Sequence, residues 1–313
     1  MARGVEEVWG GMVQAPSDFG RDNQLRVRMW FTMLLLGLVY AVFLFVLFRL
    51  GVGVGIMLVL AGGLALFQFF ASDRMVLATM RAKVVSREEQ PELHAMVERL
   101  SMAAGIPKPK IAVADMQVPN AFATGRSQKT AAVAVTTGLM GLLSERELEG
   151  VLAHEISHIR TRDVVVMTYA SFFLVVASTL MQFLFFSALF GGMGRSRQGG
   201  GNVFMIAYVV TIVVWLVSQM LVAALSRYRE FGADRGAAVL TRRPGDLASA
   251  LQRIQASITR LPQNDLRSAE SLNAFFIMPA VGDGFAKLFS THPPMNRRVE
   301  LLREMERGIM MLA

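Results

Sequence analysis

Between Trp30 and Phe48 the chain carries no charged residue, and no other feature limits its fold more tightly. The run is rich in Leu, Val and Phe and close to the roughly 20 apolar residues that cross a bilayer core. Arg49, Leu50 and Gly51 interrupt it. A second apolar run, Val52 to Ala71, ends at Ser72-Asp73-Arg74. A third extends from Val164 to Phe190 and a fourth from Val203 to Leu225, joined by a polar, Gly-rich stretch at 191–202. Buried helices in a soluble core do not explain charge-free runs of this length. The first run is also unlike a cleaved signal: it starts late, its apolar core is long, no small-residue cleavage site follows, and a second run comes at once. Two membrane hairpins are expected. A hydrophobic content of 53% and a mean hydropathy of +0.44 agree with that.

Charge sets the expected orientation. Arg21, Arg26 and Arg28 precede the first run, and Arg74, Arg81 and Lys83 follow the second. Arg160 and Arg162 precede the third, and Arg227 and Arg229 follow the fourth. The other side has Arg49, Arg195 and Arg197, a mild contrary signal. By the excess of Lys and Arg on cytoplasmic loops, both ends of the chain and its central segment face the cytoplasm. The net charge of +8 then reflects loops beside anionic lipid. No basic-aromatic pattern of a nucleic-acid module accompanies it, so nucleic acid is excluded as a partner.

The polar segments read as mainly helical. Pro91 to Ala104 has Leu93, Met96, Val97 and Leu100 on one face and stops at Gly105-Ile106-Pro107. Ile111 to Ala114 and Ala131 to Thr136 read as short strands, with Pro119 to Gly125 between them. Ser144 and Glu147 form the pattern of a capping box, and the helix they open continues through His158. Further on, Glu230 to Val239 and Leu247 to Leu261 read as helices, and a last helix follows His292-Pro293-Pro294. Asn273 to Phe289 is apolar but holds Pro279, Gly282 and Gly284, so a loop packed on the core or the membrane surface is expected.

The chemistry is concentrated in His154-Glu155-Ile156-Ser157-His158. Residues four apart share a helix face, so both imidazoles can reach one ion while Glu155 reaches a water beside it. The chain has no cysteine, so a third ligand must be a histidine or a carboxylate. Glu230 is the best candidate, four residues before Asp234 on the next polar helix. Asp234 suits a hydrogen bond to the far nitrogen of a ligating histidine. The alternative for this acidic pair is surface salt bridges to Arg227 or Arg235. Two membrane crossings separate His158 from Glu230 and return it to the same side. One zinc ion per chain is expected, to polarise a carbonyl and acidify a water. Glu155 is the expected general base, His292 an oxyanion donor or a structural turn residue, and Asp163 a helix cap or outer support. Arg297 is a candidate for orienting a carboxylate of the site or the substrate, with surface charge as the alternative.

The residues His154 to His158, Asp163, Glu230-Phe231-Gly232-Ala233-Asp234 and Thr291 to Pro294 resemble, in this order, the HtpX-type membrane metalloproteases. These belong to a wider family that includes the CAAX prenyl endoproteases. The stretch from Pro119 to Gly125 is similar as well, and Asn120 resembles the position that holds substrate backbone beside an edge strand. The resemblance implies a gluzincin domain, a bacterial or archaeal plasma membrane, and quality control of unfolded or membrane proteins.

The expected architecture is mainly α with a small β-sheet. An N-terminal segment (1–29) precedes a hairpin (30–71), the first part of a cytoplasmic protease domain (72–163), a second hairpin (164–225) and the second part of that domain (226–313). Competing readings are an intramembrane-cleaving protease, a prenyl-protein protease and a catalytically silent scaffold or chaperone. Charges on both sides of the zinc motif disfavour the first, the number of spans the second, and the intact motif the third. The substrate and oligomeric state are not legible at this level.

Overall fold

A computed structural model describes residues 23–49, 76–190, 200–260 and 292–310, with isolated positions between 55 and 66. The expected second span, Val52 to Ala71, and the apolar stretch Asn273 to Phe289 lie outside the described residues.

Three described helices are long and apolar enough to cross a membrane, over Val27–Arg49, Val165–Phe186 and Met205–Thr241. They belong to α1 (Asn23–Arg49), α5 (Asp163–Phe190) and α6 (Gly200–Thr241). α6 packs against both of the others. Leu36, Tyr40, Phe43 and Leu47 of α1 meet Ala170, Ala177, Leu180 and Leu184 of α5 and Ala207, Val222 and Leu225 of α6 in one buried cluster. The opposite faces leave large apolar side chains uncovered, among them Trp30, Leu34, Phe48, Phe186, Met205 and Val213. Water would penalise such a surface and hydrocarbon would not.

α6 is longer than the sequence suggests. The apolar run ends at Leu225, but the helix continues unbroken to Thr241 and carries Glu230 and Asp234 on its final turns. No proline interrupts it. Gly232 and Gly236 each cost about 1 kcal/mol relative to alanine, too little to stop a helix packed on its neighbours. Pro244 opens the next helix instead.

The polar segments build a second core around α4 (Glu145–Arg160). Ser144 caps it as expected: its hydroxyl accepts from the Glu147 amide, and the Glu147 carboxylate accepts from the Ser144 amide at 2.9 Å. α2 (Pro91–Ala104) contributes Leu93, Met96, Val97 and Leu100, and α7 (Pro244–Ile258) contributes Leu247, Leu251 and Ile254. α8 (Met295–Met310) adds Met295 and Leu302. Gly150 lets α7 approach closely: a Cβ there would lie 3.1 Å from the Leu247 nitrogen. Helices thus cover α4 on most sides, which buries its polar residues Glu147, His154, Glu155 and Ser157 along with its apolar ones.

A four-stranded sheet covers the rest, in the order β1 (Ala82–Val84), β2 (Lys110–Ala114), β4 (Ala132–Thr136), β3 (Ala121–Thr124). β1 pairs antiparallel with β2, β2 parallel with β4, and β3 antiparallel with β4. Two strands expected from the sequence are present, and β1 and β3 are additional. β3 lies within the segment read as a connection, forms the sheet edge and packs on α4. Gly125 ends it at φ +126°, where a Cβ would sit 2.5 Å from the Ala131 Cα. No L side chain suits that turn. A short helix, α3 (Thr137–Leu142), links β4 to the capping box of α4. Together the described residues form a mostly helical protein with one small sheet.

Candidate active site

His154 and His158 lie one helical turn apart on α4 and face the final turns of α6. Their Nε2 atoms are 3.1 Å apart. Glu230 brings Oε1 to 3.4 Å from His158 Nε2 and Oε2 to 3.7 Å from His154 Nε2. One ligand atom from each residue falls within a 4.8 Å cluster.

Hydrogen bonds on the far side of each imidazole decide what this cluster can bind. His154 Nδ1 lies 2.9 Å from Asp234 Oδ1, and His158 Nδ1 lies 2.5 Å from Asp163 Oδ2. A carboxylate accepts only, so each Nδ1 carries the proton and donates. In the neutral rings both Nε2 lone pairs then converge on one another and on the Glu230 carboxylate. That arrangement suits a cation between them. Tetrahedral zinc with bonds of about 2.0–2.1 Å separates its ligand atoms by about 3.3 Å. From His158 Nε2, the separations of 3.1 Å to His154 Nε2 and 3.4 Å to Glu230 Oε1 lie on either side of that value. The donor set of two imidazoles and a carboxylate fits zinc, and leaves a fourth position for water or substrate.

The charge balance agrees. Glu155, Glu230, Asp234 and Asp163 are all buried, against the arginines Arg298 and Arg229, which reach Glu230, Asp234 and Asp163. Among these groups the carboxylates outnumber the guanidiniums, and a divalent ion would offset the difference. With protons as the only cations, burial works against a charge on His158. Its bonds to Asp163 and Glu230 outweigh that, and its pKa is pushed up to about 10. Asp163 is held below the ordinary carboxylate range: burial raises it, and Arg229 and His158 lower it further.

Arg298 was not anticipated. The sequence reading selected its neighbour Arg297, whose side chain is 53% exposed and pairs with Glu300 at 2.7 Å. Arg298 is 1% exposed. It grips Asp234 through Nη2 at 2.6 Å and Nε at 2.8 Å, and its Nη1 lies 3.0 Å from Glu230 Oε2. Burial opposes its charge and the Asp234 and Glu230 carboxylates more than restore it. The signal was present in α8: Met295, Arg298, Leu302 and Met305 make up its buried stripe, and position 297 falls off it.

The other expected residues are distributed as follows. Glu155 is 4% exposed, next to the metal-facing histidines on α4, and its charge acts on Arg298. His292 reaches the site from the chain just before α8, with Nδ1 3.4 Å from Glu230 Oε2. Asn120 is fully buried just before β3, its amide donating to Thr136 Oγ1 at 2.9 Å and its carbonyl accepting from the Thr136 amide at 2.9 Å. Asp163, the first residue of α5, is an imidazole partner in addition to any capping.

Comparison with known proteins defines the class. The model of peptidase family M48 matches residues 87–306, which include every residue of this site, and the chain belongs to that family. It is 51% identical over 291 residues to the protease HtpX homolog of Moorella thermoacetica, across 92% of this chain and 97% of that protein. It is 49% identical over 288 residues to protease HtpX homolog 2 of Methanosarcina acetivorans, across 92% and 97% respectively. In fold it is similar to the crystal structure of S. mikatae Ste24p, with a TM-score of 0.56 at 20% identity over 88% of this chain and 67% of that one. The chain is thus a protease of the HtpX kind with membrane helices.

Proposed function

We propose that this protein is a zinc-dependent endopeptidase that hydrolyses unfolded or membrane proteins at the cytoplasmic face of its membrane. The observation that carries the reading is the convergence of His154 Nε2, His158 Nε2 and a Glu230 oxygen, each imidazole oriented by its own carboxylate. When bound, zinc supplies Lewis acidity for the scissile carbonyl and for a water. The remaining steps belong to the protein. Glu155 takes the proton of the attacking water and delivers it to the leaving amine. The Glu155 side chain is buried, and its charge acts on Arg298. His292 donates to the oxygen that gains negative charge. Arg298 fixes Asp234 and one oxygen of Glu230, leaving the other oxygen for the metal. The edge of β3, unpaired among the described residues and anchored through Asn120, accepts an extended peptide by main-chain hydrogen bonds, a mode that depends little on side-chain identity. The Lys and Arg bias around the spans supports the cytoplasmic orientation.

The test is cleavage of unfolded casein by purified wild type and Glu155→Gln, each with its zinc content measured. Zinc in both and cleavage by wild type alone is the expected result. Substantial cleavage by Glu155→Gln removes the general base. Zinc in both with no cleavage by either points to a silent scaffold. No zinc in wild type after reconstitution ends the metal reading.

A further inference from the structure

Each histidine of the site has a carboxylate behind it, and each carboxylate has an arginine behind it. His154 leads to Asp234 and then to Arg298. His158 leads to Asp163 and then to Arg229, whose Nε lies 3.2 Å from Asp163 Oδ2. The N–H of Arg229 is not aimed squarely at that oxygen, so the contact is an ion pair more than a well-formed hydrogen bond. Both groups are dry: the Arg229 and Asp163 side chains are 11% and 5% exposed.

We propose that Arg229 is a positioning residue for the metal site, holding Asp163 so that Asp163 in turn fixes the ring and tautomer of His158. The inference rests on the reading of His158 as a metal ligand. Three observations support it. First, successive helix residues point about 100° apart. Arg229 and Glu230 therefore reach different targets, and α6 grips the α4–α5 corner twice, once at the metal centre and once at the support of His158. Second, the chain between His158 and Asp163 turns through Arg162 at φ 56°, a left-handed conformation uncommon for a residue other than glycine. The ion pair lies immediately beyond that turn. Third, Asp163 opens the membrane helix α5, and Arg229 follows the apolar part of α6. Arg298 serves the other carboxylates, Asp234 and Glu230.

The same detergent-solubilised chain is compared as wild type, Arg229→Gln, Arg229→Lys, Asp163→Asn and Asp163→Asn/Arg229→Gln. Zinc dissociation constants come from competition with a chromophoric chelator, and the visible spectrum of the cobalt-substituted protein reports ligand geometry. Arg229→Gln is expected to weaken zinc binding about tenfold, the lower end for loss of an outer-shell partner, and to shift the cobalt bands. Arg229→Lys keeps the charge and is expected to recover part of the loss. In the Asp163→Asn background, Arg229→Gln is expected to add nothing, because the link it supports is already cut. A merely structural arginine would instead weaken both backgrounds by the same factor. If Arg229→Gln fails to fold, the cobalt spectrum of Arg229→Lys decides: a shift supports the role and a wild-type spectrum overturns it. Zinc bound equally by wild type and Arg229→Gln, or losses that multiply, overturns the role of Arg229 alone. A wild type without zinc affinity overturns the metal reading and this inference together.

Discussion

The membrane bundle and the core around α4 treat polar groups in opposite ways. In the bundle, Thr32, Thr211 and Ser218 return their hydroxyls to carbonyls four residues earlier on their own helices, at 2.7–2.8 Å. The clearest exception is Tyr40, which donates to the Phe173 carbonyl on another helix and lies 3.3 Å from the Ser218 hydroxyl. Around α4 the hydroxyls of Ser101 and Ser157 also return to their own helices, but the charged groups find partners far apart in sequence. Arg298 binds Asp234, Arg253 binds Glu147, and Arg160 donates to the Ala104 carbonyl. The reason lies in what each region must do. A helix in hydrocarbon has no other source of partners and satisfies itself. A metal site needs several charges in one dry place, and no single element can supply them in balance. α6 passes through both regimes, apolar to Leu225 and charged from Arg227 onward.

That contrast can be broken most severely at Arg298. Arg298→Leu leaves Asp234 and Glu230 buried without their guanidinium, so a loss of about 3–5 kcal/mol is expected, together with zinc affinity. Thermal unfolding of the solubilised protein measures it, and an unchanged midpoint would show that the charges of the site do not depend on one another. Next comes Asp234→Asn, which removes the negative charge behind His154 Nδ1 while keeping the side chain's shape. Zinc affinity should fall by about 10- to 100-fold, as read by chelator competition. In the bundle the expected effect is smaller. Tyr40→Phe cuts the interhelical hydrogen bond to Phe173 and should cost about 0.6 kcal/mol, and no more than about 1.7, because alternative partners remain in the membrane. A larger loss would mean that this polar cluster defines helix order.

The smallest effect concerns Glu147, where the sign follows from its surroundings. Burial raises its pKa, but Ser249, Ser144 and Arg253 more than compensate, so the carboxyl is lowered relative to an ordinary one. A lowered carboxylate stabilises the fold above its unfolded pKa of about 4.3 and loses that contribution as pH falls through its folded value. The stability gap between wild type and Glu147→Gln, on the order of 1 kcal/mol or less at neutral pH, should therefore close below about pH 4. A gap independent of pH would exclude the charged form as its source.

Much of this molecule was legible in one dimension because its periodicities are local. Charge-free runs mark α1, α5 and the first part of α6. The spacing of Leu93, Met96, Val97 and Leu100 marks α2, and Ser144 with Glu147 marks the start of α4. The pairing of His154 with His158 follows from helix geometry alone. Glu230 and Asp234 were legible because four-residue spacing and the absence of cysteine left few alternatives. Tertiary structure decided the rest. β3 has no strong strand pattern of its own and exists by pairing with β4, as Phe122 opposite Ala134 shows. Whether Arg297 or Arg298 enters the site depends on which face of α8 meets α6. Whether Asp163 caps a helix or holds an imidazole depends on a left-handed turn at Arg162 and on Arg229 from another helix. The local pattern determines an amphipathic or membrane-spanning segment, since a single element's own spacing carries that information. The closing of charges upon one another, which gathers two histidines and a glutamate into a group that could hold a metal ion, exists only where separate elements meet.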